Sequence, residues 1–347
     1  MLIVGCMNPA SGYGRIGTSI SRYLVSKGHT VRIIPKFPSS LYPEDLQAYI
    51  TSQRMSKQVL ADLAIAPLSA IESLSARSLI TMWESSALPP DRIPLLNRFG
   101  TIYLPCSANM DWFRNAGVTS RLVKFQLGAD GTVTPLKFDP FVFGVIAADN
   151  NVPERKKIGN IVQAFEEEFG PDDNVRLQVK MTPSCSPLQS ANPNVTIYRE
   201  NWLQPRLDQF IADTTVGVFC TAMEGWGLPA NELLASGRPV IAPYWGGYAD
   251  FLSNDTGWSL NYTLIPAPIA VFKGIGEVPE VSIAELKAKM RYVVSHQEEV
   301  KAKAVTAALV GKTYSIQGMQ EAFYSGFTEV ENLRFLAVLQ TFGNRPT

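Results

Sequence analysis

Histidine is scarce in this sequence of 347 residues, and neither sign of charge is in excess. The chain has 2 His, and 31 Lys+Arg balance 31 Asp+Glu, so the formal net charge is +0 at pH 7. So few histidines exclude most histidine-rich metal sites and make a Ser-His-Asp triad a poor hypothesis. A neutral chain also lacks the basic character of proteins that bind nucleic acid. We therefore expect no nucleic acid and no metal among its ligands.

Cysteine pairs and long apolar runs are missing as well. The 4 cysteines, Cys6, Cys106, Cys185 and Cys220, lie far apart and form no Cys-x-x-Cys pair. This spacing predicts reduced thiols rather than a disulfide framework or a zinc site. No run reaches the roughly 18 apolar residues of a membrane span, and the apolar N-terminus lacks the basic segment of a signal peptide. We expect a soluble, cytoplasmic protein without a transmembrane segment.

The composition is that of a globular chain with room for about two domains. Hydrophobic residues make up 46% and charged residues 18%, which argues against disorder. Residues 1–140 hold 14 basic and 9 acidic residues, and the rest of the chain carries the compensating acidic excess. This asymmetry has two interpretations: ordinary scatter, or a weak attraction to an anionic substrate or a membrane surface.

Short apolar runs alternate with helical patterns along the chain. Residues 2–7 predict a strand, and residues 16–27 predict a helix that ends at Gly28. The same alternation restarts with an apolar run at 141–148, after a turn-rich stretch with two prolines at 132–140. Strands that alternate with helices indicate parallel sheets covered by helices on both faces.

This repetition predicts an α/β fold with two Rossmann-like domains and a helical tail. We place the domains at residues 1–135 and 136–315, followed by a C-terminal helical segment at 316–347. Ligands bind such sheets in the crevice outside the carboxyl ends of their strands. The cleft between the two domains is therefore the expected site.

A glycine-rich turn follows the first predicted strand. Residues 12–17, GYGRIG, match G-x-G-x-x-G and open the first helix. Glycines let the backbone approach a ligand, and N–H groups at a helix N-terminus attract phosphate. Taken literally, the motif indicates a dinucleotide-dependent oxidoreductase. The acidic residue that would bind the ribose of NAD is missing, however, and Lys36 after the second strand leaves NADP as the alternative. A tight turn without a ligand is the other interpretation.

Residues 224–242, EGWGLPANELLASGRPVIA, are the most informative segment. A glycine loop leads into a helix that we expect to begin near Pro229, a residue favoured at the first helical position. Free N–H groups in such a loop and at a helix N-terminus suit a diphosphate. Glu224 lies in the loop, and Glu232 is expected in the first helical turn, where a carboxylate can accept hydrogen bonds from ribose hydroxyls. A purely capping role is the structural alternative for Glu232.

This segment resembles the E-x7-E signature of retaining GT-B glycosyltransferases, especially family 4. The resemblance implies two Rossmann-like domains that face each other across a cleft, with C-terminal helices packing back on the first domain. It also implies an acceptor site in the first domain and a nucleotide-sugar donor site in the second. Glu224 is then expected beside the donor sugar at the reaction centre, and Glu232 at the ribose. The backbone implied to contact the sugar and diphosphate is that of Gly225, Trp226, Gly227 and Leu228.

Two further segments resemble the same family. Residues 11–14, SGYG, resemble its first glycine loop, which implies Gly12 and Gly14 near the donor phosphates and Tyr13 toward the acceptor. Residues 154–165, ERKKIGNIVQAF, resemble the start of its donor domain. There Lys156 is implied to bind the diphosphate and Arg155 to add a fork-shaped donor. An exposed basic helix start is the alternative for Lys156.

The sequence also departs from the family pattern. Asn151 stands where many members carry an arginine that contacts the diphosphate. Trp83 and Glu84 occupy the acceptor-side loop where many members carry a histidine; they could shape the acceptor pocket or simply close it. Arg199 follows a predicted strand where this fold binds the nucleobase, so it joins the donor-binding candidates.

The resulting hypothesis is a retaining, metal-independent glycosyltransferase of the hexosyltransferase type. Glu224, Lys156 and Arg155 are its catalytic candidates, and the sequence has no Asp-x-Asp motif. The donor is a UDP-, GDP- or ADP-linked sugar, and the acceptor is a glycan, a glycolipid or other lipid-linked sugar, or a small molecule. The alternatives are a non-catalytic protein that binds sugar nucleotides, an NADP-dependent oxidoreductase, and a GT-B epimerase.

Overall fold

The computed structural model describes residues 1–5, 11–35, 42–51, 60–148, 155–268 and 274–343, with the side chains of Leu2, Val4 and residues 330–343 left aside. Three residues named above lie outside the described residues: Cys6, Lys36 and Asn151.

The first half of the chain forms a sheet of six parallel strands. The strands are β1 (Leu2–Gly5), β2 (Arg32–Pro35), β3 (Ala61–Ile65), β4 (Ala76–Ile80), β5 (Thr101–Leu104) and β6 (Arg121–Lys124). Their order in the sheet is β2-β1-β3-β4-β5-β6. The helices of this half are α1 (Gly12–Ser26), α2 (Glu44–Gln47), α3 (Ile93–Leu96) and α4 (Ser107–Asn115).

The second half repeats this plan. Its six strands are β7 (Phe141–Ala147), β8 (Val175–Met181), β9 (Val195–Arg199), β10 (Val216–Val218), β11 (Val240–Ala242) and β12 (Gly257–Ser259). They are again parallel, in the order β12-β11-β10-β7-β8-β9. The helices that accompany them are α5 (Ile158–Glu168), α6 (Gln204–Asp213) and α7 (Leu228–Ala235). The strands β7, β10 and β11 are continuous apolar runs because both of their faces are covered in a parallel sheet.

A hairpin and three helices complete the chain. The antiparallel pair β13 (Thr263–Pro266) and β14 (Glu277–Glu280) precedes α8 (Ile283–Ser295), α9 (Gln297–Thr313) and α10 (Ile316–Gly343). The last helix returns to the first half: the Gln320 amide donates to Ser19 O at 3.2 Å, and the Phe323 ring packs 5.2 Å from that of Tyr103. The predicted fold class, including the returning tail, is confirmed.

A glycine residue marks the end of one helix and the start of another. Gly28 has φ +82, and the His29 N–H donates to Leu24 O at 3.0 Å, so α1 ends where the sequence predicts. Gly227 has φ +101 and precedes the first residue of α7. The helix therefore begins at Leu228, one residue earlier than expected. Glu232 is its fifth residue, so its placement in the first turn is corrected to the second.

No helix in the described part of the chain is both long and apolar enough to cross a membrane.

Candidate functional site

A cavity of about 990 Å³ lies between the two sheets. The carboxyl ends of strands from both halves open onto it, as parallel sheets with a shared crevice require. The sequence-predicted residues that line it are Gly12, Tyr13, Glu84, Arg155, Lys156, Glu224, Trp226, Gly227, Leu228 and Glu232. The fold thus brings together residues that are up to 220 positions apart in the chain.

The turn after β1 forms one wall of the cavity. Ser11 caps α1, because its Oγ accepts a hydrogen bond from the Gly14 N–H at 3.0 Å. Tyr13 reaches the loop after β4, where its hydroxyl accepts from the Met82 N–H at 3.2 Å. Gly14 is buried, and its N–H already has this partner, so the structure does not place it in the cavity lining.

Lys156 and Glu224 form an ion pair at the cavity wall. Their side chains are only 12% and 13% exposed, and the Lys156 Nζ also donates to Met223 O at 3.5 Å. Lys156 directly precedes Lys157, which takes φ +49 before α5 begins. The turn positions the ammonium beside the loop after β10. A carboxylate and an ammonium removed from water in this way stabilise each other's charged forms.

A second ion pair joins the two halves of the molecule. Arg155 NH1 lies 2.7 Å from Glu84 Oε2, although Glu84 follows β4 and Arg155 follows β7. The same guanidinium donates to Ala148 O at 3.0 Å and to Met223 O at 3.4 Å. Glu84, one of the two acceptor-side candidates, is therefore held against the catalytic candidates of the other half.

Glu232 is paired with a residue that the sequence analysis missed. Arg15 NH2 lies 2.5 Å from Glu232 Oε1, and Glu232 is only 2% exposed. The negative charge of Glu232 raises the pKa of Arg15. Arg15 belongs to the GYGRIG turn and reaches from α1 to the other half of the molecule. Its position in this motif was the sequence signal that could have identified it as a site residue.

Lys180 is a second residue that was missed. It lies near the carboxyl end of β8 and lines the cavity. Burial lowers its pKa, with a smaller opposing effect from Glu232. A lysine close to the carboxyl end of a predicted parallel strand was the sequence signal, because such ends face the crevice.

The start of α7 forms the floor of the site. A Cβ on Gly227 would lie 2.1 Å from Cε1 of the buried Tyr248 ring, so only glycine fits there. Among the described residues no side chain caps this helix, so its first N–H groups are available to a ligand. Trp226 is buried beneath the loop, with its indole N–H on Asn231 Oδ1 at 3.2 Å.

Two candidates point away from the cavity. Trp83 is only 5% exposed, and its indole N–H donates to Ala87 O at 2.6 Å, so it closes the loop rather than lining the site. The Arg199 guanidinium is bound by the carbonyls of Cys185, at 2.9 Å, and Pro183, at 2.6 Å. Asn201, two residues beyond Arg199, lines the cavity instead.

Gly225 also lies outside the cavity lining. A Cβ there would meet Met82 Sδ at 2.6 Å, which shows close packing against the first half. The donor-binding candidate Asn151 is outside the described residues.

Two of the thiols near the site are poor nucleophiles. Cys106, Cys185 and Cys220 are all buried. Burial raises the pKa values of Cys106 and Cys220 to about 12, so both thiols are protonated at neutral pH. Within the described ranges, no group of three or more His, Cys, Asp or Glu side chains is placed to hold a metal ion.

Sequence comparison finds no relative, whereas structure comparison finds many. No protein-family model and no curated protein matches the chain. Sucrose-phosphate synthase from Thermosynechococcus elongatus superposes with a TM-score of 0.71 at 11% identity, over 97% of this chain and 99% of that one. HepE from Anabaena, solved in complex with UDP-glucose, superposes with a TM-score of 0.69 at 13% identity, over 95% and 100% of the two chains. TarM superposes with a TM-score of 0.56 at 14% identity, over 76% of this chain and 54% of its own.

At these identities the similarity establishes architecture. Two parallel α/β sheets face each other across a cleft, the final helix returns to the first sheet, and glycosyltransferase structures superpose over nearly the whole chain. The protein therefore has the GT-B fold.

Proposed function

We propose that the protein is a retaining, metal-independent glycosyltransferase that uses a nucleotide-diphospho-sugar donor. The observation that carries this proposal is the pairing of Glu224 with Lys156 beside the uncapped start of α7, in a cavity between the two halves. The site combines a carboxylate for sugar hydroxyls with cations and free N–H groups for a diphosphate.

We assign the donor one orientation in this cavity. Glu232 is assigned to the ribose, the start of α7 with Lys156 to the diphosphate, and Glu224 to the sugar. HepE has been solved with UDP and with UDP-glucose, and it has the same fold. A UDP-linked sugar is therefore the first donor to test, with GDP- and ADP-linked sugars as comparators.

Catalysis in this proposal is electrostatic. The bond between the sugar carbon and the diphosphate oxygen breaks, the acceptor hydroxyl oxygen forms the new bond to that carbon, and the proton of the hydroxyl passes to the leaving diphosphate oxygen. Negative charge grows on the leaving diphosphate, where Lys156 and Arg155 would stabilise it without a metal. Both cations are already held in place by Glu224 and Glu84, so little reorganisation is needed.

A thermal-shift panel tests the donor site. The panel contains UDP, UDP-glucose, a GDP-sugar and an ADP-sugar, each with and without EDTA, and NADPH as the comparator. A ligand that binds only the native state raises the melting temperature by mass action. We expect a shift with one nucleotide family that survives EDTA. A shift with NADPH alone would contradict the proposal in favour of the oxidoreductase alternative.

A turnover assay then separates an enzyme from a binding protein. Release of the free nucleotide diphosphate from the donor that binds is followed with and without candidate acceptor sugars. Turnover by the wild type supports a transferase. Binding without turnover, in the presence of a broad acceptor set, would favour a non-catalytic sugar-nucleotide-binding protein.

A further inference from the structure

Among the described residues, the charged side chains that line the cavity are paired, with one exception. The pairs among the described residues are Arg15–Glu232 at 2.5 Å, Arg155–Glu84 at 2.7 Å, Arg22–Asp45 at 2.6 Å and Lys156–Glu224. Lys180 is the remaining lining cation. Its Nζ has no carboxylate within ion-pair distance and no hydrogen-bond acceptor in the part of the chain that the structure describes.

The position of Lys180 in β8 explains why it faces the cavity. Side chains alternate along a strand, so Lys180 lies on the same face as Gln178. The Gln178 amide is satisfied by Phe210 O at 2.9 Å and Thr214 Oγ1 at 2.8 Å. Lys180 lies two residues nearer the carboxyl end, beyond the reach of these partners. The protein thus provides hydrogen-bond partners for Gln178, whereas Lys180 lines the cavity.

The surroundings of Lys180 belong to the nucleotide end of the site. Burial lowers its pKa most strongly; Glu232 opposes that shift and Arg15 adds to it. Thr182 and Asn201, which follow β8 and β9, line the same region of the cavity. Removing an ammonium from water without a partner costs free energy, and a hydrogen bond to a ligand oxygen would offset that cost.

We propose that Lys180 binds the nucleoside monophosphate half of the donor, where it donates a hydrogen bond to a ligand oxygen beside Glu232. This inference rests on the function proposed above. An ammonium has three donors and no acceptor, so its partner is a phosphate oxygen, a ribose hydroxyl or a base carbonyl. Lys156, at the Glu224 end, serves the distal phosphate and the sugar.

Binding of nucleotide fragments tests this assignment. Calorimetry measures the affinities of UDP, UMP, uridine and pyrophosphate for the wild type, Lys180→Met and Lys156→Met. We expect Lys180→Met to weaken UDP and UMP alike, by about 10- to 100-fold, since the lost bond involves a charged donor. Its affinity for pyrophosphate stays at the wild-type value. Lys156→Met shows the reverse pattern, with pyrophosphate and UDP weakened and UMP retained.

Two controls keep a folding defect apart from a binding defect. Without ligand, Lys180→Met melts at or above the wild-type temperature, because an unpaired and partly buried charge is replaced by an apolar chain of similar length. Lys180→Arg retains the charge and restores most of the UMP affinity. If uridine is also weakened in Lys180→Met, the partner is on the base or ribose; if uridine is unaffected, it is the inner phosphate.

The failures are distinguishable. Wild-type affinity of Lys180→Met for UDP overturns the role of Lys180 and leaves the donor site intact. Equal loss of UDP and pyrophosphate with UMP unchanged also overturns it, because Lys180 would then serve the distal phosphate. If the wild type binds none of these nucleotides, nor their GDP and ADP counterparts, the proposed function itself is wrong, and this inference with it.

Discussion

Each carboxylate that lines the described cavity is held by one cation. Glu84, Glu224 and Glu232 pair with Arg155, Lys156 and Arg15. In such pairs the opposite charges hold each other in a fixed orientation, which suits groups that must meet a charged substrate. The arrangement predicts that neutralising one member lowers the melting temperature as well as the activity, because its partner is left as an unpaired, partly buried charge.

Glu224→Gln is the sharpest change of this kind. The amide keeps the shape of the side chain but removes the charge that pairs with Lys156 and that is proposed to orient the sugar. We expect transfer to fall by about 100- to 1000-fold, as when one electrostatic contact of a transition state is lost. Nucleotide release is measured beside the melting temperature, with the exposed Glu72→Gln as the matched control. A Glu224→Gln enzyme that keeps a tenth or more of wild-type activity would show that the carboxylate does not lie at the reaction centre.

If Lys180 binds the donor as proposed, donor binding depends on pH. Burial lowers the pKa of Lys180 from its ordinary value of 10.5. The charges of Glu232 and, more weakly, Cys185 oppose this shift, and Arg15 adds to it. The ammonium therefore loses its proton at a lower pH than a free lysine does. UMP affinity falls as pH rises through this lowered pKa, while the phosphate, whose second pKa is about 6, stays fully ionised. In Lys180→Arg the charge persists, so the fall should disappear; parallel pH profiles of the two proteins would contradict the prediction.

At the scale of the element, the start of α7 depends on a glycine. Gly227 combines φ +101 with contact to the Tyr248 ring, and no side chain caps the helix. The same backbone turn that begins the helix leaves its first N–H groups facing the cavity. The conformation of this loop and the proposed binding of the ligand therefore both depend on Gly227.

Comparing Gly227→Ala with Gly28→Ala separates the cost of backbone strain from the cost of a steric clash. Both glycines have positive φ, but a Cβ at Gly28 would meet nothing within 4 Å. Gly28→Ala should cost only the left-handed strain, about 1–2 kcal/mol. Gly227→Ala adds a clash with Tyr248 and should lower the melting temperature clearly more while abolishing the thermal shift with nucleotide. Equal melting temperatures and retained nucleotide binding would show that the loop can relax around the methyl group.

At the scale of the whole molecule, contacts between the two halves set the geometry of the cleft. The hairpin β13–β14 belongs to the second half but bonds to the loop after β4. The Ser85 hydroxyl donates to Ile275 O at 2.8 Å, and the Glu277 N–H donates to Ser86 Oγ at 2.8 Å. This loop carries Glu84, so the hairpin holds the acceptor-side wall against the donor half.

A neighbouring pair of glycines tests the hairpin contact. Gly276 has φ +70, and a Cβ there would lie 2.5 Å from the Ala87 backbone nitrogen; Gly274 has φ +75 and open space. Gly276→Ala should detach the hairpin from the loop and slow transfer to the acceptor, with little effect on UDP affinity. Gly274→Ala carries the same strain and should keep the wild-type transfer rate. Identical transfer rates in the two variants would show that the hairpin has no part in shaping the acceptor side.

Alternating apolar periodicity was enough to predict two α/β halves and the cleft, whereas the return of the tail to the first half was implied by the family resemblance. Such patterns are local, and burial of both faces of a parallel sheet leaves a continuous apolar signal. The hairpin β13–β14 and α4 were not predicted from the sequence. A ribbon of two short strands carries little periodicity, and its docking on the loop after β4 is a long-range contact.

Sequence alone determined the types of groups at the site: the two glutamates eight positions apart, the lysine at the start of the second half, and the glycines. Tertiary structure alone decided their partners. Arg15 and Glu232 are 217 positions apart and Glu84 and Arg155 are 71 apart, and both pairs form only because strands from two halves end at one crevice. The same arrangement of the two halves turned Trp83 and Arg199 away from the cavity and gave Lys180 no partner among the described residues that line it. Periodicity reports which face of an element is buried, whereas pairing depends on distances between elements, which no local pattern contains.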